Sequence, residues 1–348
     1  MKTTLGVLAV GLLVSGLMAT PAAGAAGTAS YPLATKTSAV EVAAFWLGNG
    51  GANLTNATPY AVQTAIDEVI LSGPAAPDGK PGNIPPVLPP DGAGSAGKGP
   101  VSSGKVFFVG ADGLPHWCTG TAMQSQYRNL VATAGHCAYN TQGSGAGLDK
   151  WVFIPGYSAG TAPSGLYVGK QLFTHFDFPT YGDYDGDYAF VTVYNGVTSS
   201  PAGELTDTGR LVDQVGGQGL AWNQPLDSSV DVFGFPAGVH PDGSHPQPGD
   251  TLETFSGRTS AAQAPGLKAE ELTAVDSPFA GEGSLGSSWL LRYDKSRRVG
   301  YLNALTISVA DTDGDLRYDK RFSPYFDGEL AAVYSDAGTQ WSGSIVLP

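Results

Sequence analysis

From Lys105 to its C-terminus the chain is a succession of short apolar runs cut by turn residues. KVFFV (105–109), WCTGTAM (117–123), NLVAT (129–133), WVFI (151–154) and YAFVTVY (188–194) set the pattern. Residues 165–173, DVFGF (231–235), WLLRY (289–293), 300–309 and 345–347 continue it. Runs of this length with β-branched and aromatic residues read as strands, and most are too short for helices. The chain has 49 glycines, 25 prolines and only 14% charged residues, which also favours strands and turns over long surface helices. No helix–strand alternation interrupts the series, so the fold class is an all-β barrel or sandwich. ELAAVYS (329–335) is the exception and reads as a short C-terminal helix.

The N-terminal third is organised differently. Residues 1–25 read as an export signal: Lys2, an apolar stretch from Leu5 to Leu17, then Ala23-Gly24-Ala25 for cleavage. The apolar run is short for a bilayer, so no membrane anchor is expected once the signal is removed. Residues 26–72 form a propeptide-like segment, in which YAVQTAIDEVIL (60–71) has helix-like spacing. Residues 73–104, rich in proline and glycine, read as an extended, solvated linker. The main domain is 105–348.

A net charge of −13 excludes a nucleic-acid partner and suits a secreted, extracellular protein. The chain has two cysteines, Cys118 and Cys137, too few for a sulfur-based zinc cluster. In an exported chain one disulfide is the better reading of the pair. D-x-D-G-D runs occur at Asp183, Asp185 and Asp187 and at Asp311, Asp313 and Asp315. Neither run has the full loop ending in glutamate, so no metal and no cofactor is expected.

The most specific stretch is LVATAGHC (130–137), a strand running through a small-residue turn into His136 and Cys137. With GKVFF and WCTGTAM upstream, it resembles the histidine segment of the trypsin/chymotrypsin-like serine peptidases. The resemblance is clearest to the secreted actinobacterial and fungal type. It implies two six-stranded antiparallel Greek-key barrels, here with an irregular N-terminal extension and the short C-terminal helix. It also implies a Cys118–Cys137 disulfide clamping the histidine loop, a monomer, and peptide or protein substrates. WVFIPGY (151–157), VFGFP (232–236) and SPYF (323–326) look like family segments too. By the same resemblance His136 is the general base. Asp187, immediately before the apolar strand 188–194, is the aspartate that orients it, with Asp183 and Asp185 as competitors. His116, His175, His240 and His245 lack such surroundings and read as surface or loop residues.

The serine should lie in a segment resembling GDSGGP, or GGSSGGPWL in the actinobacterial form. This chain offers GEGSLGSSWL (281–290). Anchored on Trp289-Leu290, the nucleophile position falls on Leu285, with Ser284 before it and Gly286 after it. Ser287 and Ser288 replace the following glycine and proline. A leucine can neither attack a carbonyl nor give His136 a proton, so the resemblance implies lost or strongly reduced proteolysis and a peptide-binding role. The alternative is an active endopeptidase using His136, Asp187 and a neighbouring serine, Ser284. The backbone N–H groups of Gly283 and Leu285 are the candidate oxyanion hole. Ser287 puts that turn in doubt, because serine tolerates left-handed dihedrals poorly.

Overall fold

The computed structural model describes residues 27–346 apart from 62–64, 74–76, 94–98, 144, 159 and 278–280. The export-signal reading of 1–25 lies outside the described residues.

Six strands close the first barrel: Ser103–Val109, Pro115–Met123, Leu130–Ala134, Asp149–Pro155, Tyr167–His175 and Tyr188–Val193. Closure comes from Tyr167–His175 pairing antiparallel with Tyr188–Val193. The second half carries two sheets. One runs in the order Glu253–Arg258, Ser229–Gly234, Ser288–Asp294, Val299–Leu305, Gly219–Trp222, and the other in the order Ser260–Ala264, Ala269–Asp276, Lys320–Pro324, Ser308–Ala310. Val299–Leu305 passes into Ser308–Ala310 through Thr306 and Ile307, which links the two sheets. Together the halves form the expected double barrel. The pairing is not wholly antiparallel: Gly219–Trp222 runs parallel to Val299–Leu305.

The N-terminal segment is more regular than its sequence suggested. Thr28–Pro32 pairs with residues 171–175 as an added strand of the first barrel. Helix Lys36–Leu47 is started by a capping box between Thr35 and Ser38. It buries Ala39, Val42, Ala43 and Trp46, one stripe at helical spacing. Trp46 packs on Phe107 and donates its indole N–H to the Lys150 carbonyl at 2.6 Å.

Three expectations need correction. Residues 65–71 are not helical: Ala65 bridges Val309 and Ile70 bridges Gln263, with a bend at Asp67 between them. The described linker residues are extended but not free, since Gly82–Ile84 adds an edge strand to Gly219–Trp222 and Val87 bridges Gly217. Residues 345–346 form no strand. The C-terminal helix is present as Gly328–Gly338, capped by the Asp327 side chain on the Leu330 N–H. No helix among the described residues is long and apolar enough to cross a membrane.

Candidate active site

His136 and Asp187 meet because of strand register. Ala134 pairs with Tyr188 at the end of an antiparallel ladder, so the next residues on one strand face the preceding residue on the other. The Nδ1–H of His136 donates to Oδ2 of Asp187 at 2.6 Å, and the His136 backbone N–H donates to Oδ1 at 2.8 Å. Both side chains are fully buried. The approach requires a glycine before the histidine: a Cβ on Gly135 would stand 2.7 Å from the Asp187 carboxylate. A Cys118–Cys137 disulfide clamps the turn, and the Trp151 indole N–H holds the Cys137 carbonyl at 2.9 Å. With Nδ1–H given to the carboxylate, Nε2 is left as the free acceptor. Among the described residues nothing hydrogen-bonds to it.

The segment 281–288 comes from the second half and is sewn onto the first. The Thr119 N–H donates to the Leu285 carbonyl at 2.8 Å, and the Thr119 hydroxyl to that of Gly283 at 2.9 Å. On the other side the Gly286 N–H donates to the Thr306 carbonyl at 2.6 Å. Left-handed dihedrals fall on Gly281, Gly283 and Gly286, not on Ser287. The doubt raised by Ser287 is therefore answered: the turn places no serine in the left-handed region. At Gly286 a Cβ would lie 2.1 Å from the Thr119 carbonyl oxygen, so no other residue fits. Among the described residues the N–H groups of Gly283 and Leu285 have no acceptor.

Leu285 is fully buried. The neighbouring hydroxyls turn back on their own loop: Ser284 donates to the Gly281 carbonyl and Ser287 to the Ser284 carbonyl. The Ser288 hydroxyl is buried with no partner among the described residues. No serine of this segment hydrogen-bonds to His136.

One residue at this site escaped the sequence reading. The Tyr60 ring stacks on the His136 ring, centroids 6.3 Å apart and planes 25° apart. It also packs edge-on against Phe108 and tilts over His116. Burial, and then the Asp112 carboxylate, push its hydroxyl pKa up to about 12, so it is a neutral lid over the imidazole. The chain reaches this position through Thr58 and Pro59, which run parallel to His116 and Trp117, and the Tyr60 N–H donates to the Trp117 carbonyl. The available signal was Thr58-Pro59, since a residue before proline is biased to extended backbone.

The other candidates are dispersed. Asp185 turns away from His136 and accepts the N–H groups of Glu270 and Glu271. Asp183 caps its own turn by accepting the Asp185 N–H. Asp311, Asp313 and Asp315 bring oxygens within 4.8 Å of one another, yet each already accepts an N–H of its own loop. His240 lies in a loop, as expected, but is buried there, and its Nδ1 accepts the Tyr318 N–H. His116 binds Asp112 through one ring nitrogen and the Thr58 hydroxyl through the other.

This double barrel, with its histidine–aspartate corner and disulfide, is the fold of the trypsin/chymotrypsin-like serine peptidases. Solved structures with this fold include the protease Anisep from Arthrobacter nicotinovorans, with a TM-score of 0.56 and 24% identity over 70% of this chain and 98% of that one. A thermostable serine protease, AL20, from an extremophilic microorganism is similar too, with a TM-score of 0.54 and 25% identity over 69% of this chain and 98% of that one. No protein-family model and no curated protein sequence matches the chain.

Proposed function

We propose that this chain is a secreted trypsin-like serine-peptidase homologue that holds peptide or protein segments and does not cleave them by the serine route. What supports the reading is Leu285 at the position the resemblance gives to the nucleophile, together with a His136 whose Nε2 has no hydrogen-bond partner among the described residues. An acyl intermediate needs an oxygen there. Without it, binding and an oxyanion hole alone give about 10³–10⁴-fold over water. Export is supported by the N-terminal signal pattern and by the disulfide, which persists in oxidising compartments.

Incubation with a fluorophosphonate probe tests this. The parent chain is expected to remain unlabelled, and Leu285→Ser is expected to gain labelling that His136→Ala abolishes. Labelling of the parent that disappears in Ser284→Ala would establish the active alternative and overturn the reading.

A further inference from the structure

We infer that the small acidic cavity at the seam between the two halves is a binding site for a guanidinium group, carried by an arginine side chain or by a free alkylguanidine. His136, Asp187 and the loop 281–288 do not line this cavity, so the inference stands apart from the reading of the active-site corner.

The cavity holds about 60 Å³, room for about two waters or one flat group of similar size. Six carboxyl groups line it: Asp177, Asp183 and Asp185 from the first half, Glu271 from strand Ala269–Asp276, and Asp327 and Glu329 at the start of the C-terminal helix. No lysine or arginine is among the described lining residues. His175 is the one group there able to carry positive charge, 3.4 Å from Glu329 and 3.7 Å from Asp177. The Glu271 side chain makes no hydrogen bond or ion pair among the described residues. Elsewhere the chain meets a half-buried carboxylate with its own guanidinium groups: Asp213 takes Arg128 at 2.5 Å and Arg210 at 2.6 Å. Like charges crowded into a partly closed space are unfavourable without a counter-cation.

A buried hydroxyl faces the same space unused. Tyr188 is 3% exposed and lines the cavity, yet its hydroxyl has no hydrogen-bond partner among the described residues. Burial first, and then the carboxyl groups of Asp327, Glu329, Asp177 and Asp183, hold it neutral, and all four of those groups line the cavity. It is free to accept an N–H. Buried polar groups are nearly always paired, and a bound group would supply the missing bond.

The spread of the oxygens selects the kind of cation. Among the described residues only Asp311, Asp313 and Asp315 bring three ligand atoms within 4.8 Å of one another, so the cavity's carboxyl groups do not converge on one bare metal ion. A guanidinium carries five N–H donors in a fixed plane, pointing outward in several directions, which suits acceptors set around a cavity. Its face can rest on an aromatic ring, and Tyr188 and Tyr325 both line the space. A lysine ammonium concentrates its three donors on one atom and meets fewer of these acceptors.

Titration calorimetry of the full chain with N-acetyl-arginine amide tests this, beside the uncharged N-acetyl-citrulline amide, N-acetyl-lysine amide, propylguanidine and calcium chloride. The arginine amide is expected to bind at one site and to slow amide hydrogen exchange at 183–188 and 269–272. The citrulline amide and calcium are expected to do neither. Propylguanidine binding as tightly as the arginine amide assigns the site to a free alkylguanidine, and weaker binding assigns it to an arginine side chain; both support the site. Glu271→Gln and Asp327→Asn are each expected to weaken binding about tenfold. Asparagine keeps the helix cap, so Asp327→Asn is expected to fold as the parent does. Tyr188→Phe loses only the hydroxyl and is expected to cost a few-fold, while Asp313→Asn is expected to bind as the parent. Four results would each overturn the proposal: no binding of the arginine amide, equal binding of the lysine amide, calcium binding that Asp327→Asn abolishes, or arginine-amide binding that Glu271→Gln and Asp327→Asn leave intact.

Discussion

The two corners that meet at the active-site position differ in how they are held. On the first barrel, His136 and Asp187 spend every side-chain polar atom but one on each other and on backbone, locked by a disulfide and by a glycine that lets the carboxylate in. On the second half, the loop 281–288 is held by its glycines in left-handed turns and by the carbonyls of Gly283 and Leu285 on Thr119, and the Leu285 side chain is buried. Backbone hydrogen bonds hold both sides, while only the first adds a buried side-chain pair and a disulfide. A backbone path fixed by hydrogen bonds and glycine sterics does not depend on the side chain at its tip.

The comparison is tested first where it predicts the largest loss. Asp187→Ala leaves two buried donors, the Nδ1–H and the backbone N–H of His136, without an acceptor, at about 1–3 kcal/mol each. Ser284→Ala removes a hydroxyl that only closes its own turn, for about 1 kcal/mol. Chemical denaturation of both variants checks the contrast, and equal losses would break it. Next in size is the clamp. Replacing both Cys118 and Cys137 by serine opens a loop of 19 residues, for which chain entropy gives about 3 kcal/mol. Most of that loss is expected to appear as faster hydrogen exchange around 130–137, with the 281–288 backbone little changed.

The first corner was legible in sequence because its elements are strongly patterned. LVATA and YAFVTV are unbroken apolar strands buried throughout, and the histidine follows one as the aspartate precedes the other. The second half was harder. Glu253–Arg258, Ser260–Ala264 and Ala269–Asp276 are strands made of ETFSGR, SAAQA and AEELTAVD, whose small and polar residues carry little β signal. Their partners, not their own propensities, make them strands. Tyr60 was hidden for a related reason. Its run 60–71 has helical spacing, but edge bonds from Trp117, Val309 and Gln263 override that local preference. The proline-rich stretch around Gly82–Ile84 misled in the same way, since an edge strand needs only one row of backbone bonds.

The smallest effect concerns the seam between the two halves, where Asp185 of the first reaches the Glu270 and Glu271 amides of the second. Burial is the main cause that lifts its pKa to about 7; those two amides pull the other way, and Asp183 and Glu270 add repulsion. Glu271 and Asp327, lining the same small acidic cavity, are raised as well, each chiefly by burial. A carboxyl with a raised folded-state pKa holds its proton in the folded chain at pH values where the unfolded chain has released it. The folded state then carries more protons between about pH 4 and about pH 7, and stability falls as pH rises through that window. Denaturation at intervals from pH 4 to pH 8 is expected to show this decline, and Asp185→Asn is expected to flatten it. The histidine corner lies outside this cavity, so His136→Ala is expected to leave the slope in place. A slope that disappears with His136→Ala and persists in Asp185→Asn would move the pH sensitivity from the seam to the corner, and the corner would then be the less settled of the two regions.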